Sequence, residues 1–379
     1  IAITSPMLMA LGVSPISAVA ASAIGHTWSV TMSGMALAFR TLADVTTSNM
    51  IEMFPTTALL LGIVVVLSGL AVAFVLKQMK YWWKVMILGV LVAGAQYLAC
   101  LAGLIPVSSF AAAIVGILGG IVLCKCPHDW KATTNPTPPF LTGILSYGFL
   151  IVIMVVVTGI KPINQLLSSL TWTLSFPQVV SQSGFTTSAG NGYLFRFLTH
   201  PGILITLTGL FAAFVIPRIK QLPIGKPATA LKLTVKAAIP ASLGTLFMIA
   251  LSSLMEHTGM TMQIAEGLSR LMGLVYPLFA PLVGMVGAFA TGSNTNSNVL
   301  FGPMQKGVAQ LLAISPVVLL AAQTVGGSLG SMVAPAKLAV GATTTGLKGK
   351  EGEILRITLP IGLAIVLIVG VAALLLSLG

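Results

Sequence analysis

Continuous apolar runs of about 20 residues recur along the chain, and they constrain its fold more than any other feature of the sequence. Only 7% of the 379 residues are charged, which leaves too few charged side chains to cover a water-soluble globule. A closed outer-membrane barrel would instead alternate polar and apolar residues in segments of about ten. The sequence therefore predicts an all-α polytopic membrane protein that crosses the lipid bilayer several times.

The apolar runs mark the expected membrane spans and one segment of a different kind. The runs of spanning length lie at about residues 16–39, 56–76, 84–105, 108–124, 140–160, 202–217, 229–255, 316–345 and 354–378. Between 274 and 312, two apolar arms flank the small and polar residues 292–298. Since a continuous membrane helix would not carry such a stretch at its centre, the pattern predicts a re-entrant helical hairpin.

Lysine and arginine collect in alternate loops, as they do in the cytoplasmic loops of membrane proteins. Of the 19 basic residues, 13 fall in loops of one parity. These are Lys77, Lys80, Lys84, Lys125, Lys131, Arg218, Lys220, Lys226, Lys232, Lys236, Lys348, Lys350 and Arg356. The loops alternate correctly only if the hairpin does not cross, so we expect it to enter from the outer side. The basic residues that set the orientation of the protein in the membrane thus account for the net charge of +12, and no nucleic-acid partner is expected.

Residues 11–38 repeat as residues 312–339 at a constant offset of 301, with eight of 28 positions identical. Both copies open with Ser-Pro, which favours the first turn of a helix. We expect each helix to break at glycine, around Gly25-His26-Thr27 and around Gly326-Gly327-Ser328. In the predicted topology the copies start from opposite sides, so the sequence predicts an inverted repeat, the arrangement that places substrate sites in transporters.

The offset also predicts how the chain is organised. It maps the hairpin tip to positions before Ile1, so we expect a preceding tip and outer arm, with residues 1–11 as the returning arm. Four parts follow: residues 1–54 end the first repeat, 55–273 form scaffold-type transmembrane helices, 274–345 form the second hairpin and broken helix, and 346–379 form the last helix. The scaffold includes an outer loop, 161–201, predicted as an amphipathic surface segment, with a gate as the alternative.

Polar side chains at membrane depth are costly unless they are satisfied, and they are the candidate substrate-binding residues. The hairpin tip supplies hydroxyl and amide groups from Ser293, Asn294, Thr295, Asn296 and Asn298. The second broken helix supplies Gln323, Thr324, Gly326, Gly327 and Lys337, and the first supplies His26 and Thr27, with Trp28, Ser29 and Thr31 beside them. We expect the Lys337 cation to take an anionic or carbonyl partner. The alternatives are that the tip residues only cap two half-helices and that the glycines only allow close packing.

Proton coupling has two candidates in this sequence, His26 and Glu256. Histidine exchanges a proton near neutral pH, but a lone histidine also occurs as a hydrogen-bonded structural residue, and Glu256 lies at a helix end where solvation explains it. No nucleophile, base and orienting group form a triad, so no enzyme is predicted. The few acidic residues and the three cysteines suggest no metal site and no cofactor.

Three strings carry a resemblance to a known family. They are Gly-Ser-Asn-Thr-Asn-Ser-Asn-Val-Leu-Phe (292–301), Gln-Thr-Val-Gly-Gly-Ser-Leu-Gly-Ser-Met-Val-Ala-Pro-Ala-Lys-Leu-Ala-Val-Gly (323–341) and Ile-Gly-His-Thr-Trp-Ser-Val-Thr (24–31). With them the chain resembles the L-lactate permease family over essentially its whole length. The resemblance implies a layout like that of the ion transporter superfamily, with paired hairpins and an elevator motion.

The same resemblance implies uptake of L-lactate, and often glycolate, coupled to protons at a bacterial or archaeal cytoplasmic membrane. It carries over the five tip residues together with Gln323, Gly326, Gly327 and Lys337. By analogy with elevator transporters, it also implies a homodimer. Two alternatives stay open: a sodium-coupled transporter of dicarboxylates or other organic anions with the same fold, and a channel or non-transporting membrane protein.

Overall fold

The computed structural model describes residues 1–124, 138–180, 186–187, 190–215 and 227–378, and this part of the chain is mostly helical. Its α-helices are α1 Thr4–Ala10, α2 Pro15–His26, α3 Ser33–Val45, α4 Met50–Val75, α5 Trp82–Leu101, α6 Ser108–Cys124, α7 Pro138–Gly159, α8 Lys161–Ser168, α9 Pro201–Leu210, α10 Pro227–His257, α11 Met260–Met272, α12 Tyr276–Thr291, α13 Asn294–Leu311, α14 Pro316–Gly330, α15 Pro335–Thr344 and α16 Glu351–Leu378. Short 3₁₀ turns precede α5, α6 and α12, and a π-helical turn, Phe211–Val215, continues α9.

The predicted outer loop 161–201 departs from the all-α expectation. It begins with α8 and continues into four short strands, β1 Thr171–Phe176, β2 Val179–Val180, β3 Thr186–Thr187 and β4 Gly190–Arg196. β1 pairs with β4 and β2 pairs with β3, both antiparallel. The β-branched and aromatic residues of β1, such as Thr171 and Trp172, favour a strand over a helix.

The chain divides into two compact units. The first contains Ile1–Leu123, Gln178–Ser188 and Met248–Gly379, and the second contains Cys124–Pro177 and Ala189–Phe247. Both copies of the sequence repeat and the hairpin belong to the first unit. Its core is built from α2, α4, α12, α14 and α16, where side chains such as Ile24, Leu61, Leu320 and Val369 are completely buried.

By length and composition, six segments of the described chain are long and apolar enough to cross a membrane. They are Met50–Val75, Met79–Leu101, Ile105–Leu123, Met260–Thr291, Pro316–Thr344 and Glu351–Leu378. The bent pair of α7 and α8 adds a seventh if it counts as one span. The predicted multi-pass character is confirmed. Five of the basic residues used for orientation, Lys125, Lys131, Arg218, Lys220 and Lys226, lie outside the described residues.

The predicted hairpin is present as α12 and α13, which pack against each other. Its tip is shorter than expected, because only Gly292 and Ser293 separate the two helices and residues 294–298 already belong to α13. Gly292 has the left-handed conformation that glycine favours, and the Ser293 hydroxyl accepts a hydrogen bond from the Asn296 N–H. The cap starts the helix at Asn294, so the tip amides project from its first turns.

The turn that opens each copy of the repeat has the same backbone geometry. In the first copy, the N–H of Gly12 donates to Met9 O and that of Val13 to Leu8 O. At the same offset of 301, Ala313 donates to Gln310 O and Ile314 donates to Ala309 O. Residues 12 and 313 both have positive φ, 88° for Gly12 and 55° for Ala313. The same turn also follows α3, α4 and α5, at Thr47, Lys77 and Gly103, so both copies share it but it is not specific to the repeat.

The second break lies later than predicted. α14 runs without interruption through Gly326 and Gly327 and ends at Gly330, so the expected break at Gly326-Gly327-Ser328 is wrong. The interruption falls at 331–334 because Pro335 holds Ala334 in an extended conformation (ψ 121°) and opens α15. The glycines instead allow α12 to cross closely, since a Cβ on Gly326 would collide with the carbonyl oxygen of Pro281.

The first break is close to the predicted position. α2 ends at His26, and a 3₁₀ turn, Thr27–Ser29, leads towards α3. Near the start of α3, Gly34, Met35 and Ala36 have φ of 56°, 63° and 56°. Left-handed backbone is unfavourable for residues that carry a Cβ, so burial of Met35 and Ala36 in the core must hold this bend in place.

The close crossing of α12 and α14 predicts a steep cost for a methyl group at Gly326. Gly326→Ala should destabilise the protein by about 1–3 kcal/mol because the new Cβ meets backbone that cannot rotate away. In the control Gly352→Ala, nothing lies within 4 Å of the new Cβ, so stability should stay equal or rise slightly. The melting temperature of each purified variant in detergent measures this, and equal values for the two variants would contradict the packing argument.

Candidate functional site

Three parts of the first unit meet at a buried polar cluster: the N-terminal end of α13, the middle of α14, and the segment that follows the first break. Asn294 and Asn298 lie one helical turn apart on α13 and therefore share a face. Thr324 lies on α14, and Thr31 follows the 3₁₀ turn at the first break. All four side chains are buried, Asn298, Thr324 and Thr31 completely.

The side-chain amides of the two asparagines hold these parts together. Asn298 Nδ2 donates to Thr324 Oγ1 at 2.9 Å and to the Ala38 carbonyl oxygen at 3.0 Å. Asn294 Nδ2 donates to Thr31 Oγ1 at 3.1 Å and to Thr324 Oγ1 at 3.5 Å. Thr31 Oγ1 in turn donates to the Thr324 carbonyl oxygen at 3.0 Å. The sequence-predicted residues Asn294, Asn298 and Thr324 are thus in direct contact.

The carbonyl ends of the same two amides have no hydrogen-bond partner among the described residues. Both Asn294 Oδ1 and Asn298 Oδ1 are buried. A buried acceptor without a hydrogen-bond partner costs free energy, which a ligand that donates to it would recover. The cluster therefore offers two acceptors to a ligand that carries a hydrogen-bond donor or a positive charge.

A second polar network lies beside the first and is fully satisfied within the protein. Gln323 Nε2 donates to Ser297 Oγ at 3.1 Å, and Gln305 Nε2 donates to Gln323 Oε1 at 3.0 Å. Ser297 Oγ donates to the Gly284 carbonyl oxygen, and Tyr276 OH donates to Gln305 Oε1. In this structure Gln323 therefore joins the hairpin to α14 through both ends of its amide.

The two copies of the repeat touch each other at equivalent positions. Ser328 Oγ donates to the Thr27 carbonyl oxygen, and these residues are 301 positions apart, which is the offset of the repeat. Equivalent residues of two related copies meet when they lie next to a two-fold axis, as at the centre of an isologous interface. Thr27, one of the predicted site residues, lies at this junction and is completely buried.

The two glycines predicted for the site have different neighbours. Gly326 faces the backbone of α12, whereas a Cβ on Gly327 would overlap Asn294 Oδ1. Gly327 therefore leaves the space in which the Asn294 carbonyl lies. Its role is tied to the polar cluster, and that of Gly326 is tied to helix packing.

The remaining tip residues surround the cluster. Ser293 and Thr295 are half-buried, and Asn296 is buried. The Ser293 hydroxyl is used as the helix cap, which agrees for this residue with the alternative that tip side chains cap a half-helix. The first N–H groups of α13 have no acceptor inside the helix, so the tip also offers backbone donors.

The charged and titratable candidates lie around this centre. Lys337 is half-buried on α15, and its Nζ donates to Ser331 Oγ at 2.7 Å, where the sequence led us to expect an anion or a carbonyl. The preceding residue, Ala336, lies beside the hairpin tip, 3.6 Å from a Cβ built on Gly292. His26 is half-buried at the end of α2, and Glu256 is exposed at the end of α10.

Two residues of these networks were absent from the candidate residues of the sequence analysis, Ser297 and Gln305, whereas Thr31 was among the polar residues noted at the first break. A signal for Gln305 exists in the sequence, because Asn294, Asn298 and Gln305 recur at helical spacing on one face of an otherwise apolar arm. Within the described part of the chain, no three His, Cys, Asp or Glu side chains are grouped to hold a metal ion.

Comparison with known proteins gives one family and several relatives. The L-lactate permease family matches residues 1–378. The glycolate permease GlcA of Escherichia coli K12 is 37% identical over 127 residues, which are 34% of this chain and 22% of that protein. The L-lactate permease of Streptococcus iniae is 29% identical over 331 residues, 83% of this chain and 66% of that protein. The chain thus spans less than two thirds of the length of either relative.

Two further matches cover more of the chain. The L-lactate permease of Bacillus subtilis strain 168 is 25% identical over 97% of this chain and 73% of that protein. Among solved structures, Neisseria gonorrhoeae MtrF, described with a class of antimetabolite efflux pumps, has a TM-score of 0.40 at 14% identity. That match covers 94% of this chain and 79% of MtrF.

Because its amide joins two buried side chains, Gln323 should contribute to the stability of the protein. Gln323→Ala should lower stability by about 1–3 kcal/mol, because Ser297 and Gln305 lose a buried partner. Gln310→Ala, at an exposed position of the hairpin helix α13, is the control and should have little effect. Chemical denaturation or thermal melting in detergent compares the two, and an unchanged Gln323→Ala protein would show that the network contributes little.

Proposed function

Because the chain belongs to the L-lactate permease family, we propose that it is a secondary active transporter of L-lactate and related 2-hydroxy monocarboxylates such as glycolate. The names of the relatives support both substrates, since one is a glycolate permease and others are L-lactate permeases. The protein acts as a multi-pass protein of a bacterial or archaeal cytoplasmic membrane. It works as a homodimer, by analogy with elevator transporters.

The observation that carries this proposal is the pair of buried amide oxygens without partners, Asn294 Oδ1 and Asn298 Oδ1. A 2-hydroxy acid carries a hydroxyl that donates a hydrogen bond and a carboxylate that accepts several. The hydroxyl binds an amide oxygen of the cluster, and the carboxylate takes the free N–H groups at the start of α13. The substrate thus satisfies groups that the protein leaves unpaired.

Lys337 supplies the positive charge for the carboxylate. Its ammonium group donates to Ser331 Oγ between α14 and α15. The neighbouring residue on α15, Ala336, lies beside the hairpin tip. A single cation suits a monocarboxylate, whereas a dicarboxylate would call for more positive charge. The side chain moves from Ser331 towards the tip when the substrate binds.

Alternating access comes from the repeat. The contact between Ser328 and Thr27, which lie 301 positions apart, supports a two-fold relation between the copies. In such folds a site between inverted repeats is exposed to one side of the membrane at a time. The hairpin and the broken helices carry the substrate by an elevator motion against the scaffold helices, and protons drive it through His26 or Glu256.

Sodium coupling is the second candidate, and a specific observation favours it. Amide oxygens are the ligands that hard cations prefer, and Asn294 and Asn298 present two of them in one buried place. In that case the cation takes the oxygens, and the substrate takes the backbone donors and Lys337.

Uptake of labelled L-lactate by the full-length protein in proteoliposomes separates these mechanisms. We expect accumulation with an imposed proton gradient and none without a gradient. Accumulation driven by a sodium gradient alone would replace proton symport by the sodium mechanism. No accumulation under any gradient would contradict the transport proposal.

Replacing Lys337 with an uncharged residue should weaken L-lactate binding without unfolding the protein. Lys337→Ala should raise the KM for L-lactate by about tenfold or more, because a charge-assisted hydrogen bond to the carboxylate is lost. The control is Lys350→Ala, at an exposed position after α15. Uptake kinetics and the amount of protein in the membrane are measured for both, and an unchanged KM in Lys337→Ala would remove this residue from the site.

A further inference from the structure

Thr31 is the last residue of the string 24–31, but the resemblance gives it no role in substrate binding. Its hydrogen bonds fix the orientation of the Asn294 side-chain amide. The Thr31 hydroxyl has one proton, which it donates to the Thr324 carbonyl oxygen at 3.0 Å. Towards Asn294 it can therefore only accept. The amide group that faces Thr31 at 3.1 Å must be the NH₂ group, which donates.

This arrangement determines where the other end of the amide points. With Nδ2 bound to Thr31, and more weakly to Thr324 at 3.5 Å, Oδ1 is directed to the opposite side, against Gly327. Gly327 has no side chain to displace the oxygen. A side-chain amide is otherwise free to turn over and exchange its donor for its acceptor. Thr31, in the first copy of the repeat, prevents the exchange of an amide that is carried by the hairpin.

We infer that Thr31 is a positioning residue that selects substrates with a 2-hydroxyl group, by holding Asn294 Oδ1 as an acceptor. The inference rests on the proposed function and adds the origin of its specificity. In this structure the oxygen is covered, and the substrate reaches it when the hairpin tip moves away from Gly327. A substrate hydroxyl then donates to Oδ1, whereas an acid without a hydroxyl leaves the acceptor unpaired.

An unpaired acceptor gives strong discrimination. A site built to bond a substrate hydroxyl rejects the analogue that lacks it far more strongly than an apolar pocket rejects one methylene group. Pyruvate has the shape of lactate with a keto oxygen, which can only accept, in place of the hydroxyl, so the ratio of the inhibition constants of pyruvate and L-lactate measures this contribution. If Thr31 is lost, the amide can turn over and present NH₂, which donates to the keto oxygen, and the ratio falls.

The test compares Thr31→Ser with Thr31→Ala in the full-length protein. Both variants lose the methyl group, and they differ only in the hydroxyl. Thr31→Val keeps the shape of threonine without the hydroxyl, and Thr343→Val, at an exposed position of α15, controls for the substitution itself. For each variant, pyruvate and L-lactate compete with labelled L-lactate uptake in proteoliposomes.

We expect Thr31→Ser and Thr343→Val to keep the wild-type ratio and Thr31→Ala to lower it by about tenfold or more. Thr31→Val should lower the ratio as Thr31→Ala does. If Thr31→Val does not fold, the comparison of Thr31→Ser with Thr31→Ala still tests the inference. A ratio that is the same in Thr31→Ser and Thr31→Ala would overturn the inference, including the case in which both constants rise together. Failure of the proposed function is a separate result, because it appears as absent L-lactate uptake by the wild-type protein.

Discussion

The structure depends on the pairing of buried amide groups in a chain with very few charges. In an apolar interior each unpaired donor or acceptor is costly, so the asparagines and glutamines of the hairpin bind α14 and the first break. Thr324 is central, because its hydroxyl accepts from both Asn294 and Asn298. This pairing needs α12 and α14 to lie close together, and the glycines at 284 and 326 permit that distance.

Much of the fold follows from the sequence. Apolar runs predict the multi-pass helical character, and the polar stretch within 274–312 predicts a hairpin. The Ser-Pro pairs at the offset of 301 predict helix starts, and α2 and α14 begin at Pro15 and Pro316. Other features depend on details that composition does not carry. The Ser293 cap shortens the tip, glycines 326 and 327 stay helical because they pack, and the left-handed bend at Gly34–Ala36 is held by its buried surroundings.

The candidate site was partly predictable for the same reason. Polar side chains at membrane depth stand out in sequence, and Asn294, Asn298 and Thr324 are in contact as predicted residues of one cluster. Their partners stand out less, because Thr31 is one of several polar residues at the first break and Ala38 is an ordinary apolar residue that becomes important only when two distant segments meet. The partner of Lys337 was not predictable either, because its hydrogen bond to Ser331 depends on the direction that α15 takes after residues 331–334.

The most direct test of the central claim is an experimental structure of the full-length protein with bound L-lactate. The account predicts ligand density beside the N-terminal end of α13, with the substrate hydroxyl within hydrogen-bond distance of Asn294 Oδ1 or Asn298 Oδ1. Density elsewhere would contradict it, for example in the cleft of about 350 Å³ lined by Lys306, Glu52 and Thr47. The position of the ligand relative to the two asparagines decides between these outcomes.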